Sequence, residues 1–269
     1  MAVRPPLHHH WLFDFHRLTV MQEDRRVLHN FSLHVRHGEH IAILGPNGSG
    51  KSSLIKTITR DLYPLVGVRG FRFQVYGQDI WEVADLRSRL GIVSPDLLNH
   101  LRREVTAREM ILSGYFSSLG LWPHQRVTPS QERRTRSILH FMEISHLAER
   151  PLAAMSSGEQ RRALIARALV HDPDALILDE PTNNLDPGAI REFHVIMRKL
   201  ARAGHSLVLV THHIADIIPE IERIILLKNG RIVADGPKAR VLTSRRLSAL
   251  FGARLRVVRQ NAQFDLVSA

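Results

Sequence analysis

Polar and apolar residues alternate near the two ends of this chain, while its middle carries short runs that are apolar throughout. Phe31, Leu33 and Val35 occupy every second position in Val27–Val35, and Phe71, Phe73 and Val75 repeat the pattern after the Gly67–Gly70 turn. Period two predicts antiparallel strands there and at Leu12–Phe15, with the charged turn Gln22-Glu23-Asp24-Arg25 between the first two. Ile41–Leu44, Leu207–Val210 and Ile224–Leu227 are apolar runs of strand length. Ala175–Leu178 is a run of the kind found in a strand buried on both faces.

Helical spacing dominates elsewhere. Apolar residues recur at steps of three and four over Ser53–Ile58, Leu97–Gly114, Gln131–Ala148, Arg161–Val170 and Ala189–Ala203, so a helix is predicted over each. Shorter helices are expected around Val241–Leu250. Lys228-Asn229-Gly230 predicts a tight hairpin into Arg231–Ala234, because Asn-Gly tolerates the positive φ angles of such a turn. A second hairpin is expected from Leu255–Val258 and Gln263–Val267.

Composition narrows the class without naming a chemistry. The 269 residues are near the upper limit for one core, and a hydrophobic content of 44% fits a globular chain. No apolar run reaches membrane-spanning length and no signal pattern opens the chain, so a protein that neither spans a membrane nor is secreted is expected. With no cysteine there is neither a disulfide nor a thiolate metal site. The formal net charge of +11 comes from arginine far more than lysine, spread along the whole chain, and does not by itself mark a nucleic-acid groove. The histidine groups His8-His9-His10 and His34, His37, His40 lack a carboxylate or cysteine that would complete a ligand set, and read as surface residues.

Chemistry concentrates where the apolar runs end. Ile41–Leu44 leads into Gly45-Pro46-Asn47-Gly48-Ser49-Gly50-Lys51-Ser52-Ser53, the spacing G-x-x-x-x-G-K-[ST] between a strand and a helix. The glycines let successive N–H groups face one concavity at the positive end of a helix, so the loop is expected to hold a nucleoside triphosphate. Lys51 is expected to reach its β- and γ-phosphates and the Ser52 hydroxyl to ligate Mg²⁺. Ala175–Leu178 ends in Asp179-Glu180, two carboxylates at the carboxyl end of a buried strand, where ligands of parallel sheets gather. Val210 is followed by Thr211-His212-His213, again a polar group at a strand end.

Taken in order, these blocks resemble the ATP-binding cassette (ABC) ATPases over about residues 12 to 252. Gly45–Ser52 is similar to the family's Walker A loop, Leu176–Glu180 to its Walker B strand, and Ser156-Ser157-Gly158-Glu159 to its signature. Asn183–Asp186 is similar to the D-loop and His212 to the switch histidine. The implied fold is α/β: a P-loop NTPase core, RecA-like with a mostly parallel sheet, an antiparallel β subdomain and an inserted helical subdomain. The implied domain spans 1–252 with the insertion at about 94–155, and 253–269 is a short hairpin extension.

The resemblance also implies roles. Two cassettes would stack head to tail, each ATP closed between one copy's phosphate loop and the other's signature. Asp179 would hold Mg²⁺ through water, Glu180 would polarise the attacking water, His212 would contact the γ-phosphate, and Asp186 would couple the two sites. Two positions depart from the family. Pro95 stands where a Q-loop glutamine is expected, with Ser94 and Asp96 as possible substitutes. Neither Met21 nor Gln22 supplies the usual aromatic for adenine, leaving Phe15 as a candidate.

The function implied is the ATP-hydrolysing subunit of an ABC transporter, a homodimer or paired cassette. It would be cytoplasmic and peripheral on the inner face of the membrane, docking on integral-membrane subunits through the 94–155 region. Arg87–Ser94 and Ile217–Ile221 are similar to the molybdate-type or photorepair-related ATPases, and the 241–252 run to the metal-chelate importers. The alternative is a soluble ABC ATPase acting on ribosomes or nucleic acid, supported by the arginine excess and by Asp179–Asp186, Asp-Glu-Pro-Thr-Asn-Asn-Leu-Asp, which is similar to the translation-factor group. A third reading, suggested by Pro95, is a cassette that binds ATP and turns it over poorly.

Overall fold

The computed structural model describes residues 10–67, 69–94, 96–99, 104–260 and 263–268. Pro95 lies outside the described residues, as do His8, His9 and residues 100–103 of the helix expected over Leu97–Gly114. In chain order the elements are β1 (Trp11–Gln22), β2 (Arg25–Arg36), β3 (Ile41–Leu44), α1 (Lys51–Ile58), β4 (Arg72–Val75), α2 (Val83–Arg89), β5 (Leu90–Val93), α3 (Asp96–Asn99) and α4 (Ala107–Ser113). There follow α5 (Pro129–Phe141), α6 (Ser157–Ala168), β6 (Ala175–Asp179), α7 (Pro187–Arg202), β7 (Ser206–Thr211), β8 (Arg223–Lys228), β9 (Arg231–Pro237), α8 (Lys238–Val241), α9 (Ser244–Phe251), β10 (Leu255–Gln260) and β11 (Gln263–Ser268). Two compact units result, one of residues 1–86 with 212–269 and the other of 87–211. Among the described residues no helix is long and apolar enough to cross a membrane.

The first unit holds the antiparallel strands that the alternating pattern predicts. β1 pairs with β2 on one side and β4 on the other, all antiparallel. Phe13, Phe15, Phe31, Leu33 and Val35 point into its core, where Phe13 stacks on Phe15 at 5.2 Å. Phe15 is fully buried between Phe13 and Phe73 and presents no ring for a base to lie on, which corrects its reading as an adenine platform. All of Leu12–Phe15 is buried, so neither face of β1 leaves a free ring there.

β3 in the same unit runs parallel to β8, and β8 turns at Asn229-Gly230 into antiparallel β9. All four residues of β3 are fully buried, as expected of a parallel strand covered on both faces. The β10–β11 hairpin is present with its register intact from Leu255–Ser268 to Gln260–Gln263. It is tied to α9 where the backbone N–H groups of Leu255 and Val257 donate to the hydroxyls of Ser248 and Ser244.

The second unit is built on parallel β5, β6 and β7 with helices α3 to α7. Ala175–Leu178 of β6 and all of β7 are buried. The continuous helix expected over Leu97–Gly114 is interrupted. α4 starts afresh at Ala107 because Thr106 accepts from the Glu109 N–H while Glu109 accepts from the Thr106 N–H. The helix expected to reach Ala148 stops at Phe141. Glu143 takes a left-handed φ of 61°, and the Ile144 N–H reaches back to the Leu139 carbonyl, a helix-ending turn.

The Asn229-Gly230 turn does more than reverse the chain. Gly230 donates its N–H to the Ser49 carbonyl at 2.8 Å and accepts from the His29 N–H at 2.9 Å. Its φ is 69°, and a Cβ there would lie 2.4 Å from the Val27 carbonyl oxygen. Gly230→Ala is therefore expected to destabilise the chain by about 1–2 kcal/mol from the left-handed backbone alone, and more from the clash. A lowered urea midpoint with an unchanged slope would report it.

Candidate functional site

The phosphate loop begins where β3 runs out of buried apolar residues. Gly45–Gly50 has no regular structure, and α1 opens at Lys51 behind Gly50, whose φ of 107° only glycine adopts without strain. A side chain at Gly50 would also meet the Val27 carbonyl at 2.9 Å. Lys51 is 5% exposed, and its ammonium donates to the carbonyls of Gly45 at 2.8 Å and Pro46 at 3.1 Å. The cation is thus folded over the loop it belongs to.

Ser49 is buried, and its hydroxyl has no hydrogen-bond partner among the described residues. Asn47, Gly48 and Ser52 are exposed on the rim, while Pro46 and Ser53 are half-buried. The Ser53 hydroxyl is 3.5 Å from the Gln22 side-chain oxygen. A loop with a buried cation, an orphaned hydroxyl and a helix N-terminus fits a polyphosphate. His212, in the same unit, is half-buried and lies against His213 with ring centroids 3.8 Å apart.

The carboxylates belong to the second unit. Asp179 closes β6, and Glu180 follows in a left-handed conformation with φ 43°, its N–H donating to the Val210 carbonyl at 2.7 Å. The chain then turns sharply, since the Asn183 N–H reaches the Glu180 carbonyl and the Leu185 N–H the Thr182 carbonyl. Within this turn the Asn183 side-chain amide donates to Glu180 Oε2 at 2.5 Å. Asp186 caps α7, its carboxylate accepting from the N–H groups of Gly188 at 2.8 Å and Ala189 at 3.0 Å. Those bonds hold its carboxyl below the usual carboxylate range.

The Ser156–Glu159 turn opens α6. Ser156 accepts from the Glu159 N–H at 3.3 Å, and Glu159 Oε2 accepts from the Ser156 N–H at 2.8 Å. Ser157 and Gly158 form the first helical positions behind this capping box. The α6 N-terminus is thereby fixed by its own side chains.

The expected site residues therefore fall into two groups. Gly45–Ser53 and His212 lie in the first unit, and Asp179, Glu180, Asp186 and Ser156–Glu159 lie in the second. Sequence reasoning gave Gly230 only a hairpin role and Asn183 only a place in the D-loop, missing their bonds to Ser49 and Glu180, and it passed over Arg161 in α6, whose Nη2 donates to the Asn183 carbonyl. For Asn183 a signal existed, because an Asn three residues past a carboxylate in a turn is placed to bond back to it.

Comparison with known proteins gives these geometries a family. The ABC transporter family model matches residues 28–183. An ABC transporter ATP-binding protein of Streptococcus mutans is 30% identical over 249 residues, 92% of this chain and 94% of that protein. The ABC transporter ATP-binding protein ModF of Escherichia coli is 38% identical over 210 residues, 74% of this chain but 40% of its own length. Among solved structures, a dimeric ATP-binding cassette in a post-hydrolysis state bound to ADP and Pi is similar, with a TM-score of 0.66 and 27% identity. The match covers 84% of this chain and 98% of that one.

The capping box makes the stability of α6 sensitive to acid. The Ser156 N–H, donating to the Glu159 carboxylate, holds that carboxyl below its ordinary range. A carboxyl whose folded pKa is depressed contributes stability above its unfolded pKa, and the contribution is lost as pH falls through the folded one. Glu159→Gln should remove that contribution, flattening the stability profile below about pH 5 by lowering stability at neutral pH while leaving the acid end little changed, as read from thermal midpoints across pH.

Proposed function

The chain belongs to the ABC transporter family and is an ABC-type ATPase, and from that premise we propose that it powers a transporter as a head-to-tail pair of cassettes acting on integral-membrane subunits. What carries this reading is the α6 N-terminus opened by Ser156–Glu159, on a chain that also bears a phosphate loop. A single polyphosphate is held by one such loop. A second helix N-terminus suits the γ-phosphate of an ATP held by another copy of the chain. The similarity to a dimeric cassette supports the pairing.

In this reading the unbonded backbone N–H groups within Gly45–Ser53 cradle the phosphates, Pro46 having none to give, and Lys51 leaves the Gly45 and Pro46 carbonyls to meet the β- and γ-phosphates. Exposed Ser52 and half-buried Asp179 carry oxygen donors of the kind Mg²⁺ takes and would hold it. That ion would neutralise phosphate charge when bound. Glu180, held by Asn183, orients the attacking water, and His212 steadies charge gathering on the γ-phosphate. Asp186 acts from the start of α7, since its carboxylate is the cap of that helix.

We place the dimer on the inner face of the membrane, with the partner contact in the 94–155 region. The reading of a soluble factor on ribosomes or nucleic acid rests on the arginine excess and on Asp179–Asp186. Affinity capture from solubilised membranes and from cytosol separates the two: a multi-span membrane protein supports the transporter, while recovery of ribosomes instead overturns it.

For the chemistry, Glu180→Gln is expected to slow ATP turnover by about 10²–10⁴-fold while ATP binding persists. Size-exclusion chromatography with ATP should then show an accumulated dimer. Turnover at the starting rate would remove Glu180 from its role, and a poor starting rate unchanged by the substitution would favour the weakly hydrolysing cassette.

A further inference from the structure

Arg161 is a buried cation of the second unit with two donor nitrogens unmet among the described residues. It sits on α6 with 4% of its surface exposed, in a crevice lined by Gly158, Leu185, Ala189, Phe193 and Ile196. Burial pulls its guanidinium down to about 10. One nitrogen, Nη2, donates to the Asn183 carbonyl at 3.2 Å, while Nε and Nη1 are buried with no hydrogen-bond partner among the described residues. The acidic residue beside the crevice, Glu192, is bonded instead to Arg162 Nη2 at 2.6 Å.

Packing alone does not account for an arginine in this place. A buried charge with unmet donors costs free energy, and an apolar side chain of similar volume commonly serves a helix interface as well or better. What the guanidinium adds is its one bond. That bond ends on Asn183, and Asn183 in turn donates its side-chain amide to Glu180 Oε2 at 2.5 Å. Two hydrogen bonds thus join the helix that opens with Ser156–Glu159 to the carboxylate that follows β6. The turn they brace is strained at Glu180, which sits at φ 43°.

We infer that Arg161 is a positioning residue, which fixes the Glu180 carboxylate through Asn183 and so makes its placement depend on the position of the signature helix. The inference rests on the reading of Glu180 as the group that orients the attacking water. A displacement of α6 carries Arg161 with it, shifts the Asn183 carbonyl, and moves the amide that holds Oε2. Since the carboxylate must meet a water in one geometry, an error of the order of 1 Å costs rate and leaves ATP affinity alone.

The test uses the full chain with Mg·ATP and measures kcat, KM and thermal midpoint for Arg161→Met, Asn183→Ala, the double variant and Glu180→Gln. Arg161→Met is expected to fold with an equal or higher midpoint, to keep KM within about twofold, and to lose about 10–100-fold in kcat. Asn183→Ala should show the same split. Because both act on one path, the double variant should be no slower than the slower single.

A kcat for Arg161→Met within twofold of the starting protein overturns the inference, as does a double variant that loses the product of the two single effects. Should Arg161→Met fail to fold, Asn183→Ala decides alone, and an unchanged kcat there is equally fatal. Glu180→Gln separates this failure from that of the premise. If it turns over at the starting rate, the role of Glu180 is wrong and the inference falls with it; if it is inactive while Arg161→Met is unimpaired, only the coupling is wrong.

Discussion

Backbone N–H groups that must stay open to an anion cannot hold their own loop in shape, and the first unit is arranged to supply that support from other elements. The loop hangs between a fully buried strand, β3, and the first turn of α1. Its carbonyls are engaged instead: those of Gly45 and Pro46 by Lys51, and that of Ser49 by Gly230. The β8–β9 hairpin, remote in sequence, is therefore part of the loop's foundation, and β2 joins it through His29 and Val27.

The second unit meets the opposite requirement, since it has to hold carboxylates where like charges and strain both oppose them. β6 is apolar up to Leu178, so Asp179 and Glu180 arrive at the edge of a rigid, fully buried element. The left-handed backbone at Glu180 costs of the order of 1–2 kcal/mol, whereas Asn184 takes the same region as a residue that tolerates it. Burial of Ala175–Leu178 and the cap that Asp186 places on the sixteen-residue α7 flank this turn on either side. Strain stored between two such anchors fixes the carboxylate without requiring a longer loop.

The parts legible in the sequence are those whose signal is local. β3, β6 and β7 are read from uninterrupted apolar runs, and the Asn229-Gly230 hairpin from two residues. Boundaries were lost where periodicity continued across a stop. The run over Leu97–Gly114 keeps helical spacing although Thr106-x-x-Glu109 starts a new helix, and the run to Ala148 ignores the reversal at Glu143. The first of these carried a readable capping box, as did Thr128-x-x-Gln131 before α5. Phe15 failed differently, because an aromatic can be assigned to a strand by alternation while the face it takes depends on strands β1 and β4 pairing. For Arg161 no local signal exists. Its burial is decided by the packing of α6 against α7, and its partner lies twenty-two residues away.

The arginine excess, which composition alone leaves ambiguous, is partly explained by where the guanidinium groups lie. Arg223 forks onto Asp235 through two nitrogens at 2.7 Å and reaches Glu39 at 3.0 Å and the His34 carbonyl at 2.7 Å. Arg72 meets buried Asp14, Arg108 meets Glu132, Arg134 meets Asp172 and Arg162 meets Glu192. Each of these pairs joins two elements within one unit, except that Arg134 ties α5 to the turn after α6. A planar donor fork does this better than an ammonium, because it fixes direction as well as charge. The exposed pairs contribute little to stability one by one. Their effect is on register: Arg223 pins the start of β8 to β9 and to the β2–β3 connection, and β8 leads to the Asn229-Gly230 turn under the phosphate loop. Arginines spent in this way are scaffold for the site, so overall basicity is weak support for a nucleic-acid surface on this chain.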